Sequence, residues 1–226
     1  MKLTYYGHSC FAIETGAATL LFDPFISGNE LARGVNIEAI KPDFILVSHG
    51  HSDHIIDCIS IAKRSDAKVV CNWEVHEWLN RHGVTNTHPM NTGGKWNFGS
   101  FIARCTVAQH SSGLPDGSYG GNPLGFIITA QGKSIYYSGD TALTMDMQLI
   151  QRWAVPDLSI LPIGDNFTMD ATDAAECAKI VRCKKVLGVH YDTFGYIRID
   201  HNAAREIFRK EGIELVLLDI GASMNI

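Results

Sequence analysis

Short apolar runs, not long amphipathic stretches, dominate the first part of the chain. Leu3 to Tyr6, Cys10 to Glu14 and Thr19 to Phe22 read as strands, separated by turn signals at Gly7 and Thr15-Gly16. Lys41-Pro42-Asp43 introduces Phe44 to Val47, a continuous apolar run typical of a strand buried on both faces. Ile55, Ile59 and Ala62 recur at helical spacing and predict a helix from about Ile55 to Arg64. Lys68 to Cys71 is strand-like, and Trp73 to Arg81 is helix-like before Gly83.

Strands return in the middle: Phe101 to Val107, Leu124 to Ala130 and Ser134 to Tyr137, the last two flanking a hairpin turn at Gln131-Gly132. Ser111 to Gly121, rich in Gly, Ser, Pro and Asp, reads as a surface loop. Beyond it, strands at Leu158 to Leu161, Val186 to Val189 and Leu215 to Leu218 alternate with helices. One helix spans Asp170 to Arg182, with Ala174, Ala178 and Val181 on one face. The other spans Asn202 to Glu211, capped by Asp200 or His201 and ended at Gly212. Strands followed by alternating strands and helices, in two similar halves, predict an α/β fold with two sheets inside and helices outside, a four-layer αββα sandwich. With no linker-like segment and no fixed-period repeat, residues 1–226 read as a single domain.

A hydrophobic fraction of 46% with 19% charged residues is ordinary for a folded chain. The net charge of −5 offers no basic footprint, which makes nucleic acid an unlikely partner. No apolar run approaches the ~20 residues of a spanning helix, and the start has no stretch suited to a signal peptide. Six dispersed cysteines contain no C-x-x-C pair, several of them in apolar runs, where a free thiol behaves as a small hydrophobe. These features predict no membrane association and a cytoplasmic location. Trp73, Trp78, Trp96 and Trp153 read as packing residues, and His76, His82, His88 and His201 as surface or turn residues.

The chemistry concentrates in Ser48-His49-Gly50-His51-Ser52-Asp53-His54, directly after the buried strand. Three imidazoles and a carboxylate in six residues are poor core material, because each desolvated polar group needs a partner. As ligands they suit Zn, Mn or Fe. A His-rich surface loop or a structural metal are the plainer alternatives, but a structural zinc closes with four ligands and leaves no surplus. His110, Asp140 and His190 each follow another strand. Singly each could be a hydrogen-bonded strand-end residue; jointly, seven candidate ligands are the inventory for two divalent ions.

The stretch from His49 to His54 matches the H-x-H-x-D-H signature at every position, and the chain resembles the metallo-β-lactamase superfamily. Tyr6-Gly7-His8-Ser9, Phe22-Asp23-Pro24-Phe25, Thr87-His88-Pro89-Met90, Leu161 to Met169 and His190 to Phe194 are similar to a branch of small metal-dependent hydrolases, related to L-ascorbate-6-phosphate lactonase and to the phospholipase D acting on N-acyl phosphatidylethanolamine. The resemblance implies His49, His51 and His110 on one metal, Asp53, His54 and His190 on the other, and Asp140 bridging. His51 stands where di-iron oxygen-reducing relatives carry Glu, and Asp140 where the best-known lactamases carry Cys, so redox and β-lactam chemistry are disfavoured. A shared water, activated by two ions, would attack a small phosphoester, lactone or other ester, with Asp53, Asp140 and His190 as the expected catalytic residues. A nuclease or cyclic-nucleotide phosphodiesterase, and an inert metal-binding protein, are the alternatives. Relatives are often homo-oligomers.

Around this set, Asp23 is expected to accept a hydrogen bond from a ligand imidazole. His8 is a candidate pocket residue and, with Tyr191, a candidate leaving-group acid. Asp165, Asn166, Thr168 and Met169 form a loop suited to contacting substrate, with Asp170 as a helix N-cap.

Overall fold

In the computed structural model, which describes residues 1–226, β1 (Lys2–Gly7), β2 (Cys10–Glu14) and β3 (Thr19–Phe22) form an antiparallel meander. The strands β4 (Phe44–Leu46), β5 (Lys68–Cys71) and β6 (Thr87–Pro89) then continue the sheet in parallel from β3. Parallel neighbours need crossovers. α1 (Ser52–Ile55) and α2 (Cys58–Ser65) join β4 to β5, and α3 (Trp73–Arg81) joins β5 to β6.

The second sheet repeats the plan. β7 (Lys95–Asn97), β8 (Ile102–Val107), β9 (Leu124–Ala130) and β10 (Lys133–Tyr137) are antiparallel. Following α4 (Ile150–Trp153), β11 (Leu158–Pro162) lies parallel to β10. Next come α5 (Ala171–Ile180), β12 (Lys185–Val189), α6 (His201–Lys210) and β13 (Glu214–Val216), both strands parallel to β11. β14 (Ser223–Asn225) returns to pair with β1. Two seven-stranded sheets result, ordered β14-β1-β2-β3-β4-β5-β6 and β13-β12-β11-β10-β9-β8-β7.

The two-residue period of the strands divides the apolar side chains among three layers. Leu3, Tyr5, Phe11, Ile13, Leu20 and Phe22 meet Leu124, Phe126, Ile128, Ile135 and Tyr137 between the sheets. Their neighbours Ala12, Leu21, Ile45 and Val69 face outward beneath Ile61 of α2 and Val75, Trp78 and Leu79 of α3. On the far side, Ile127, Tyr136, Leu161 and Val186 pack under Ala174 and Ala178 of α5 and Phe208 of α6. This is the αββα arrangement the alternation predicts.

Three features differ from the sequence expectation. The helix expected over Ile55 to Arg64 is interrupted between α1 and α2, because the Asp57 N–H donates to Pro24 O at 3.2 Å in place of a helical carbonyl. The Asp57 carboxylate accepts from the Ile26 and Ser27 N–H groups at 2.7 and 2.9 Å, so the break also clamps the loop after β3. The three-residue strands β6, β7 and β14 are too short to show a period in sequence. Of the four tryptophans expected to pack, only Trp78 is buried; Trp73, Trp96 and Trp153 are exposed. The caps follow the sequence: Asp170 accepts from the Asp173 N–H at 2.7 Å, and Asp200, not His201, starts α6.

Candidate metal centre

All seven candidate ligands lie beyond strand ends where the two sheets meet. The segment after β4 runs extended through His51 and then turns into α1, so alternate side chains His49 and His51 share one side and the first helical turn adds Asp53 and His54. β8 leads to His110, β10 to Asp140 and β12 to His190. Residues outside the carboxyl ends of parallel strands are where open α/β sheets bind ligands. His8, Asp23 and His190 adopt left-handed backbone conformations, with φ of 54°, 40° and 56°. Such conformations cost about 1–3 kcal/mol each and persist where the surroundings impose them. Here the His190 N–H donates to His8 O at 3.0 Å, as does Tyr5 OH at 3.0 Å, and the Asp23 N–H donates to Leu46 O at 3.0 Å.

Donor atoms gather in three groups, each within 4.8 Å: one from His49, His51 and His110, one from Asp53, His54 and His190 together with His8, and one from His49, His54 and Asp140 that joins the other two. Asp140 stands between the first two. Its Oδ2 is 2.9 Å from His190 Nε2, 3.1 Å from His54 Nε2 and 3.8 Å from His110 Nε2. Asp53 Oδ2 is 3.8 Å from both His54 Nε2 and His190 Nε2. His49 Nε2 and His51 Nδ1 face each other at 2.9 Å.

A surrounding shell of side chains aims these groups. Asp23 is fully buried; its Oδ2 accepts from His54 Nδ1 at 2.8 Å, Ser48 Oγ at 2.6 Å and Tyr137 OH at 2.5 Å, while Oδ1 accepts from the Ser48 N–H at 2.7 Å. A carboxylate only accepts, so the His54 proton sits on Nδ1 and Nε2 is turned inward. Ser48 Oγ also lies 2.9 Å from His49 Nδ1. His8 reaches Asp53 Oδ2 through Nε2 and Thr193 Oγ1 through Nδ1, both at 3.0 Å.

Electrostatics keep most of the donors in the state a cation requires, neutral imidazole and ionised carboxylate. Burial, reinforced by His54, pushes His49 well below the ordinary imidazole range, and burial lowers His51 and His110. Burial alone would raise Asp53 and Asp140. For Asp53 the His8 hydrogen bond and His54 outweigh it, and for Asp140 the charges of His190 and His54 do, so both stay below the carboxylate range. His54 is the exception: against the effect of burial, Asp140 and Asp23 raise it well above its usual value. The two carboxylates draw a proton to the point where a cation would neutralise them. Meanwhile Asp140 Oδ1 is buried without a hydrogen-bond partner, a costly state that a bound cation relieves. The donor set therefore fits divalent metal.

A cavity of about 360 Å³ opens over His51, Asp53, His110, Asp140 and His190, walled by Phe167 and Phe194. Asp23 accepts from His54, as expected of an acceptor for a candidate ligand imidazole, whereas His8 lies beside the donors but is buried and does not line the cavity as expected. Tyr191, by contrast, packs in the outer core and does not line the cavity; burial pushes its hydroxyl up to about 12. In the loop before α5, Met169 is buried in that same core, and Phe167 is the residue that reaches the cavity. Sequence reasoning missed Phe167 and Phe194 as site residues, since a lone exposed phenylalanine carries no spacing.

This fold and donor arrangement define a class. The family model of the β-lactamase superfamily domain matches residues 18–191, and the chain belongs to that superfamily. It is 47% identical, over the whole of both chains, to a protein of Flavobacterium johnsoniae described as a UPF0173 metal-dependent hydrolase. Among solved structures it is similar to Igni18, a metallo hydrolase of the hyperthermophilic archaeon Ignicoccus hospitalis. The identity there is 32% and the TM-score 0.89, covering 99% of this chain and 97% of that one. An isothiocyanate hydrolase from Delia radicum gut bacteria shares the fold at 19% identity and TM-score 0.81, with 100% and 99% covered.

Proposed function

We propose that this protein is a binuclear metal-dependent hydrolase that cleaves a small phosphoester, lactone or other ester. The observation that carries the reading is Asp140 Oδ2, within 3.8 Å of imidazole nitrogens from both donor sets. His49, His51 and His110 would hold one ion, Asp53, His54 and His190 the other, and Asp140 would bridge; Zn or Mn suits these N and O donors, and Fe is compatible. When bound, two such ions polarise the group under attack and lower the pKa of water from 15.7 toward about 7.

The chain's own residues supply the rest. Asp23 and Ser48 keep His54 and His49 turned inward, and His8 fixes one oxygen of Asp53. Asp53 is the more exposed of the two carboxylates and lines the cavity, so it is the group that accepts a hydrogen bond from the attacking water. Asp140 also reaches the cavity but is almost wholly buried, its Oδ2 set among the imidazole nitrogens of both donor sets. The proposal includes a reducing, cytoplasmic setting, supported by six free and buried cysteines. No helix is long and apolar enough to cross a membrane.

The test is hydrolysis of a chromogenic phosphodiester and a chromogenic ester by metal-stripped protein reloaded with Mn or Zn, beside Asp53→Ala. Metal-dependent turnover, two ions per chain, and loss of both activity and one ion in the variant are expected. Folded, fully loaded protein inert toward both substrates would sink the reading in favour of a metal-binding protein without turnover.

A further inference from the structure

The cavity over the donors is chemically divided. Its floor is polar, yet its walls are Phe167 and Phe194, which remain 51% and 37% exposed. Large apolar groups left open beside a polar centre mark a place where something apolar binds. Neither ring hangs on a loose segment. Phe194 sits edge-on to the buried His8 ring at 5.4 Å and 6.2 Å from Phe25. Phe167 projects from a tight loop closed by Asp165 N–H to Met169 O at 3.1 Å and anchored by Met169 N–H to Thr141 O at 3.0 Å. Its ring meets Tyr196 edge-on at 6.2 Å.

The second observation is charge. No Lys or Arg lines this cavity, and none lines the adjoining one of about 460 Å³ that runs on past His110 and Ser111 toward Tyr119 and Pro123. Sites for terminal phosphates or polyanions usually present Arg or Lys forks to the extra charge. Here any positive charge would come from the ions alone.

Resting on the hydrolase reading above, we infer that the substrate is a neutral ester or a singly charged diester carrying an aryl or alkyl group. That group packs between Phe167 and Phe194 while the scissile bond lies over the donors. The two phenylalanines are specificity-determining residues. A phosphorylated sugar lacks the apolar group, and a nucleic-acid strand with successive phosphates brings charge that nothing in the walls answers.

Binding separates this inference from turnover. Diphenyl phosphate and dimethyl phosphate carry the same single charge and differ only in the apolar groups. Calorimetry on the metal-loaded protein should show diphenyl phosphate binding at least about tenfold more tightly, the scale of filling an apolar pocket. In the Phe167→Ala/Phe194→Ala double variant, with metal content verified, the ratio should shrink to within about twofold, and Leu at both positions should restore most of it. A ratio unchanged in the alanine variant would overturn the inference. So would a double variant that dissociates an oligomer and keeps the ratio, since the rings would then belong to a subunit interface. If the ratio behaves as expected but no ester is hydrolysed, the hydrolase reading fails and the apolar subsite stands.

Discussion

Asp23→Asn probes the site without touching a proposed ligand. The amide can keep its oxygen toward the Ser48 N–H, now bonded to Oδ1 at 2.7 Å, but its NH2 then replaces Oδ2. Three donors face that position: Ser48 Oγ, Tyr137 OH and His54 Nδ1. The two hydroxyls can rotate their hydrogens away, but the ring N–H of His54 cannot. Turning the amide round only transfers the conflict to the Ser48 N–H, which is fixed by the backbone. The remaining relief is for His54 to move its proton to Nε2, the nitrogen 3.1 Å from Asp140 Oδ2, where the lone pair for metal is needed. One lost hydrogen bond to a charged group is worth about 1.5–3 kcal/mol. The metal-free variant should therefore melt roughly 3–10 °C lower while staying folded at room temperature. Metal affinity should fall further in relative terms, by about 10–100-fold, as for other partners of ligand imidazoles. Competition with a chromogenic chelator measures it. An affinity within about threefold of wild type in a folded Asp23→Asn protein would refute the tautomer argument and remove His54 from the ligand set.

Gly164→Ala acts from the backbone side. A Cβ there would lie 2.1 Å from His190 O and 3.0 Å from Ile197 Cβ, so β11 and the His190 segment must part; a loss of about 1–3 kcal/mol in urea unfolding is expected, with weakened metal binding. Unchanged metal affinity would mean that His190 does not depend on this approach. Alkaline pH should destabilise the protein through its core thiols. Burial pushes Cys10, Cys58, Cys71, Cys105 and Cys177 upward, Cys105 to about 12, while the unfolded chain ionises near an ordinary pKa of about 8.5. The unfolded state then binds fewer protons, so stability present below about pH 8.5 is lost as pH rises, by up to about 1.4 kcal/mol per thiol per unit. The urea midpoint of metal-free protein should fall steeply between about pH 8.5 and 10.5, and a flat profile would contradict the burial of these thiols.

The candidate donor set was legible because four of the seven residues fall within six positions after a buried strand, and each of the others follows a strand of its own. Their grouping was not, since which imidazole faces which carboxylate depends on two sheets meeting. Asp23 and His8 carry no spacing signal, but they share with the candidate donors a position just beyond a strand end, and that shared position is what singles them out in the sequence. The interruption at Asp57 was hidden because its cause is tertiary: the N–H is taken by Pro24 O, 33 residues upstream, while the apolar periodicity runs straight through. Tyr191 fails as a site residue for a related reason. It adjoins His190, but the left-handed turn at His190 directs the two side chains to opposite sides of the sheet, one to the cavity and one to the outer core.

The division of labour between the halves of the fold bears on how the site is preorganised. Residues before β7 supply His49, His51, Asp53 and His54, and those after it supply His110, Asp140 and His190, so neither half holds a complete donor set. Small zinc-dependent domains solve this by folding around the ion. Here the seam is closed by other means. The Leu124 N–H donates to Ser48 O at 2.8 Å, the His190 N–H to His8 O at 3.0 Å, and Tyr137 reaches across to Asp23. Behind these bonds, both sheets bury a shared layer of phenylalanine, leucine and isoleucine. These three bonds fall at residues within the site or next to it, so part of what joins the halves also aims the candidate ligands. A fold held this way meets the cation with its donors in place, and the left-handed backbone at His8, Asp23 and His190 is the strain it carries to keep them there.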